Sequence, residues 1–276
     1  MPIIDSHTHL MTLNTQLYPL ADPTSGYKPS IEGSAKHLKA QMKAAGVERA
    51  LAISTGFYGW DNSYVMDELG GNNSWLAIGV LVDPIAKDGP QNLEILVKKG
   101  ANGIRIQRHL FYHQSLDDPI STPLWEKAAA LDLTVDVNAT HEEYSAVEKR
   151  IREFPNTRFV LDHCGYVSGN LAPKKNTTEP VRRLARYNNV YIKLTFLPLA
   201  SQQPYPFKDV HWMVRELVDA FGPDRCLFGS NFPTDQYSPK TSYQETVALF
   251  SEVINLSHEE RDWILGGTAN SLWNWV

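Results

Sequence analysis

Residues 3–10 read Ile-Ile-Asp-Ser-His-Thr-His-Leu. An apolar pair runs straight into two histidines one residue apart. In an extended strand alternate side chains share a face, so His7 and His9 point the same way, about 6–7 Å apart along the chain. Two imidazoles at a strand end can share one metal ion or hold one polar group of a substrate. Two surface histidines would show the same spacing, so the segments that follow must decide what the pair is for.

Downstream of this strand, residues 11–33 form a polar stretch rich in Pro, Tyr and Thr with no helical period. Loops this long inside a compact domain are usually functional. Residues 34–45 then read as a helix, with Ser34 as N-cap and Gly46 as stop signal. From there the chain alternates. Strands are expected at 47–54, 75–82, 103–107, 133–138, 158–162, 190–194 and 225–229. Helices fall between them at 61–69, 90–99, 122–131, 141–154, 179–187 and 209–221, followed by three more at 241–254, 257–265 and 268–275. Eight mostly apolar, β-branched strands alternating with helices predict a parallel sheet covered on both faces. With 276 residues, the eightfold count predicts an α/β fold, a (β/α)8 TIM barrel with additional C-terminal helices, as a single domain over 1–276. No Gly-x-Gly-x-x-Gly follows the first strand, which argues against a dinucleotide fold.

Composition narrows the partners. The net charge of −5 and pI near 6.0 offer nothing to nucleic acid or to an anionic membrane. No apolar run reaches the roughly 18 residues of a membrane span. The N-terminal stretch lacks the basic-then-apolar pattern of a signal peptide. Cys164 and Cys226 each adjoin an expected strand and read as buried thiols of a reducing compartment. A cytoplasmic protein acting on a small-molecule substrate is the expectation. Trp263, Trp273 and Trp275 fit core packing or an interface, the latter compatible with a homo-oligomer.

Chemistry on a barrel of this kind sits at the C-terminal ends of the strands. Those ends supply His7 and His9, Ser54, Arg105 and Gln107, Asn138, Asp162 and His163, Lys193 and Thr195, and Ser230 and Asn231. Strand parity turns Asp162 toward the helices, opposite to His163. Asp5 shares the parity of His7 and His9, either orienting an imidazole or serving as a buried structural carboxylate. Arg108, His109 and His113 follow strand 4, where one could assist Arg105. Tyr166, Tyr18, Tyr27, Phe57, Tyr58 and Trp60 could wall a pocket or anchor loops.

IIDSHTHL, FVLDHCG, NVYIKL, DRCLFGSNFP and the closing GGTANSLW together resemble the amidohydrolase superfamily. The branch they are most similar to is the amidohydrolase-2 group, which includes sugar-acid lactonases and the 2-pyrone-4,6-dicarboxylate lactonase. The resemblance implies that His7, His9 and His163 form the catalytic and metal-binding set, and that Arg105 binds substrate. It also exposes two departures. Asn138 stands where many metal-dependent members carry a strand 5 histidine, which argues against a two-metal centre. Asn231 stands where the family has an aspartate that binds metal, deprotonates water, or both. An amide is no base at neutral pH, and a general base is worth about 10²–10⁴-fold in rate.

The reading is a hydrolase that opens a lactone of a small anionic or polyhydroxylated organic acid. His7, His9, His163 and Asn231 are its catalytic residues. Arg105, Gln107, Asn138, Tyr166 and Lys193 are its substrate-binding residues. One divalent ion, Zn²⁺ before Mn²⁺, suits three imidazoles, and a metal-independent version stays open. Three accounts of Asn231 remain: an engineered replacement of aspartate, a native residue with His163 or Asp235 as base or with altered chemistry, and a barrel that binds without catalysing. The alternative functions are a metal-dependent decarboxylase or hydratase of an unsaturated carboxylic acid, and a non-catalytic binding barrel.

Overall fold

The structure is a computed structural model, and it describes residues 1–70, 72–107, 115–166, 178–273 and 275. Arg108, His109 and His113 lie outside the described residues. Eight strands form one sheet in chain order: β1 (Ile3–Thr8), β2 (Val47–Ile53), β3 (Leu76–Leu81), β4 (Gly103–Gln107), β5 (Thr134–Asn138), β6 (Arg158–Leu161), β7 (Val190–Leu194) and β8 (Cys226–Phe228). Each consecutive pair is parallel, with helices in the crossovers, as the TIM-barrel reading expects. Residues just past β8 bring the sheet round to its start. The Asn231 N–H donates to His7 O at 2.9 Å and the His9 N–H to Phe232 O at 2.7 Å. Such close approach requires glycine at 229, where an added Cβ would lie 2.6 Å from His7 Cβ.

Helix 35–45 forms as its capping signals direct. The Ser34 side chain accepts from the His37 N–H, and Gly46 ends the helix at φ 71°. Leu38 and Met42, four apart, bury its inner face. The expected helix at 141–154 is a 3₁₀ turn, His141–Glu143, running into an α-helix, Tyr144–Glu153. Those at 241–254 and 257–265 each open on a serine capping box and end in a wide π turn. Two short helices, Leu197–Ala200 and Thr234–Tyr237, were not legible as periodic segments. Both flank the mouth of the barrel. Among the described residues no helix is long and apolar enough to cross a membrane.

Strand alternation sorts the interior into shells. Ile104 and Ile106 of β4, Val135 and Val137 of β5, and Ile192 and Leu194 of β7 pack outward under the helices. Inside the barrel, Ile4, Leu51, Ile53, Ala77, Val160 and Leu227 form an apolar floor with Ala269, Leu272 and Trp273. Trp273 is therefore core. The same alternation sends Arg105, Asp136 and Lys193 inward, and all three are buried.

Candidate active site

The site is built from both ends of the barrel seam. The register of β1 slips between Asp5 and Thr8, which separates Asp5 from the histidines that share its nominal parity. Its carboxylate accepts from the backbone N–H of His7 at 3.2 Å and of Ser230 at 2.9 Å, and from Tyr243 Oη at 3.0 Å. Asp5 is thus the structural carboxylate of the two readings. Burial pushes its pKa up to about 6. It pins the turn after β8 on which Asn231 sits at φ 57°, a left-handed conformation that asparagine tolerates better than most residues.

His163 arrives by a different device. Val160 of β6 lies in the inner cluster and Leu161 in the outer one, so Asp162 comes next on the inside. This corrects the parity reading that turned Asp162 to the helices. His163 would then face outward, except that His163, Cys164, Gly165 and Tyr166 all have φ between 52° and 68°. This run of left-handed residues swings the imidazole back over the barrel mouth. Left-handed backbone costs roughly 1–2 kcal/mol per non-glycine residue, and neighbours hold it in place: the Tyr144 hydroxyl donates to Gly165 O at 2.5 Å.

The three imidazoles converge. Ring centroids of His7 and His9 are 4.8 Å apart, and those of His7 and His163 are 4.6 Å apart. His9 Nδ1 meets Ile53 O at 2.8 Å and His163 Nδ1 meets Thr195 Oγ1 at 2.7 Å. Burial lowers the His9 pKa to about 3 and those of His7 and His163 well below the usual range. All three rings are neutral at pH 7, the form that binds metals and accepts protons.

The donor set fits a single divalent ion. His7 Nε2 and His9 Nε2 lie 3.2 Å apart, close to the ~3.3 Å between two tetrahedral nitrogen ligands at zinc distances. His7, Asp162 and His163 also offer ligand atoms within 4.8 Å of one another. That group holds Asp162 with two of the expected histidines and leaves out His9. The fit requires His7 to carry its own proton on Nδ1.

Beneath the imidazoles lies a charged layer that the strand-end reading half missed. Asp162 Oδ2 pairs with Arg105 Nε at 2.9 Å and Nη2 at 2.8 Å. Burial opposes both charges, yet the guanidinium holds the Asp162 carboxyl well below its usual range, and Asp162 holds Arg105 above its own. Lys193 is hydrogen-bonded to Asp136, and both are fully buried. Asp136 was not read from the sequence, although a carboxylate between Val135 and Val137, sharing parity with Asn138, was a usable signal.

Above this layer opens a cavity of about 420 Å³, lined by His9, Tyr27, Arg105, Gln107, Asn138, His163, Tyr166, Phe196 and Tyr237. Phe196 stacks on His163 at 3.9 Å, Tyr237 lies 4.8 Å from His9, and Tyr27 packs on Phe57 at 4.3 Å. Asn138 Nδ2 donates to Tyr166 Oη at 2.6 Å. Residues 12–32 thus carry Tyr27 to the cavity from a loop whose ends meet in the Met11–Gly33 bridge. Phe196 and Tyr237 belong to the short helical segments that periodicity did not reveal.

Three named residues stand off the cavity wall. His7 lies behind His9 and His163, Lys193 lies a layer deeper, and Asn231 is buried with its Oδ1 unpartnered among the described residues. As a wall contact to substrate, Lys193 is corrected: its inward parity ends at Asp136 and His7 Nδ1. Asp235, the alternative base, is exposed and outside the cavity. Among the described residues no carboxylate lines it. Ser54 is absorbed by a bond to Asn62 Oδ1 at 2.8 Å, Tyr18 by Asp67 at 2.8 Å, and Trp60 lines a separate outer cleft.

Comparison with known proteins agrees with this geometry. The chain is 26% identical over 242 residues to 4-sulfomuconolactone hydrolase of Hydrogenophaga intermedia, covering 84% of this chain and 75% of that protein. It is 26% identical over 202 residues to L-fucono-1,5-lactonase of Burkholderia ambifaria, covering 72% and 69%. Its fold matches a protein described as "probable 2-pyrone-4,6-dicarboxylic acid hydrolase" from Acinetobacter baumannii, solved with citric acid bound. The TM-score is 0.84 at 17% identity over 99% of both chains. A family model described as amidohydrolase matches residues 4–275, and with histidines from β1 and β6 meeting at the mouth of a parallel barrel, the chain belongs to the amidohydrolase family.

Proposed function

We propose that this chain is a cytoplasmic hydrolase, one barrel domain over 1–276, that opens the ring of a small anionic lactone. One observation carries the reading: a buried guanidinium, Arg105, faces a cavity that no carboxylate lines among the described residues, beside neutral imidazoles. The lactone hydrolase names of the two curated relatives support the reaction class.

Arg105 holds the carboxylate of the substrate by charge-assisted bonds, with Gln107 and Asn138 along its polar edge. The rings of Tyr27, Tyr166, Phe196 and Tyr237 cover a flat ring and exclude water. These walls give little to the hydroxyls of a sugar lactone, so the anionic substrate is favoured over the polyhydroxylated one. His7 and His163, with either Asp162 or His9 beside them, would hold one divalent ion, zinc before manganese; a bound ion supplies Lewis acidity to the lactone carbonyl. In the metal-independent version, His163 Nε2, 3.4 Å from Arg105 Nη2, takes the proton of the attacking water where the family's aspartate would. Burial and the guanidinium make it a weak base, so hydrolysis is slow with Asn231.

That amide favours one second reading, loss of CO₂ from an unsaturated carboxylic acid, which needs no base for water. The test is a panel of pyrone, muconolactone and sugar lactones followed by pH-stat, beside carboxylic acids followed by CO₂ release. Ring opening of a carboxylated lactone is expected. CO₂ release without turnover of any lactone would overturn the reading.

A further inference from the structure

The loop that carries Tyr27 to the cavity is tied down by a residue outside the cavity wall. Its base is fixed: Met11 bridges Gly33, and Gly33 packs so closely on Pro233 that an added Cβ would lie 2.6 Å from Pro233 Cγ. The outer part, residues 22–31, is held differently. Among the described residues its backbone makes two hydrogen bonds to the rest of the chain, and both end on the side chain of Gln236. We propose that Gln236 is a positioning residue that latches this segment to the helix Thr234–Tyr237 and so holds Tyr27 at the rim of the cavity.

The two backbone partners fix how the amide must sit. A backbone N–H can only donate and a backbone carbonyl can only accept. Gln236 Oε1 accepts from the Ser30 N–H at 2.7 Å, and Gln236 Nε2 donates to Lys28 O at 3.3 Å. The Ser30 hydroxyl donates to the same Oε1 at 2.5 Å. Neither an apolar side chain nor an ionised carboxylate supplies both an acceptor and a donor. The amide therefore grips the chain on either side of Pro29, directly after Tyr27.

Tyr27 needs such a grip. Its ring packs on Phe57 at 4.3 Å and lines the cavity, yet the residue is 48% exposed. Phe57 in turn stacks at 6.2 Å on Tyr237, the neighbour of Gln236 and part of the same cavity wall. Consecutive residues of one short helix thus supply one wall and the tie that sets the opposite rim. When the latch opens, Tyr27 leaves, and apparent affinity falls in proportion to the fraction still latched. This kinetic consequence rests on the proposed lactone reading; the latch itself does not.

The test compares native protein with Gln236→Leu in three measurements. Ser30 and Lys28 are exposed, so losing the bonds strands no buried group and the melting temperature should stay nearly unchanged. Hydrogen exchange read by mass spectrometry should quicken in residues 22–31 and not in the barrel strands. In protein labelled with 3-fluorotyrosine, the ¹⁹F signal of Tyr27, assigned by difference against Tyr27→Phe, should shift and narrow. On a lactone that is turned over, KM should rise about 3- to 10-fold, the span of one net hydrogen bond, with kcat held. In a Tyr27→Ala background Gln236→Leu should add less than about twofold, because Gln236 acts through Tyr27. Unchanged exchange in 22–31 or an unmoved Tyr27 signal would overturn the proposal, as would a KM effect of the same size without the Tyr27 ring. If no lactone is turned over, the fault lies with the reaction assigned, and exchange and fluorine signals still decide on Gln236.

Discussion

The sharpest perturbation is Arg105→Gln. The Arg105 side chain is 4% exposed, lies at the wall of the cavity, and pairs through Nε and Nη2 with Asp162. A charge-assisted hydrogen bond contributes about 1.5–3 kcal/mol, or roughly 10- to 150-fold in kcat/KM at 1.36 kcal/mol per decade. That loss should fall on a lactone bearing a carboxylate and spare the same ring without one. Breaking a buried ion pair also costs about 3–5 kcal/mol of stability, so the assay is run well below the variant's melting temperature. Arg105→Lys is the control: it keeps the charge near Asp162 but loses the planar fork, and should recover stability before it recovers kcat/KM. Equal losses on the carboxylated and uncarboxylated lactones would refute the reasoning, leaving Arg105 as structural support for Asp162.

Three further outcomes can be measured. Asn231→Asp should raise kcat on a cleaved lactone by about 10²–10⁴-fold, read by initial rates; no gain would mean the seam turn does not present position 231 to the reaction. Gly165→Ala adds a Cβ 2.2 Å from Tyr144 Oη at φ +68°, and overpacking with left-handed strain should cost roughly 2–5 kcal/mol in urea unfolding. Acid should destabilise the fold in two stages. Between pH 6 and 4 the unfolded chain protonates three histidines that stay neutral when folded. The folded chain meanwhile protonates Asp5 and Asp136, whose burial raises them to about 6. The unfolded state binds about one proton more, so stability falls by roughly 1.4 kcal/mol per unit of acidification. Below pH 4 the two aspartates cease to differ and the loss steepens, as denaturant midpoints across pH would show.

Local signals carried far in this chain. Ser34 and Gly46 bound a helix because capping chemistry is short-range, and Gly-Ile-Arg-Ile-Gln is a strand with Arg105 inward because alternation needs no partner. Asp136 was legible by the same alternation and was passed over. Asp162 was misread because a period-two rule cannot foresee four consecutive left-handed residues, which Tyr144 and Val181 hold from elsewhere in the chain. Tyr27, Phe196 and Tyr237 come to one cavity from three distant segments.

What alternation, capping and motif order determined was the number of strands, their sequence around the barrel and the residues at their ends. All of these depend on neighbours within a few positions. Which end groups face the cavity, which lie a layer below it, and which atom of His7 meets Lys193 were decided by closure of the sheet between residues 3 and 232. Closure places side chains nearly two hundred residues apart within hydrogen-bonding distance, and no local rule in the chain encodes that separation.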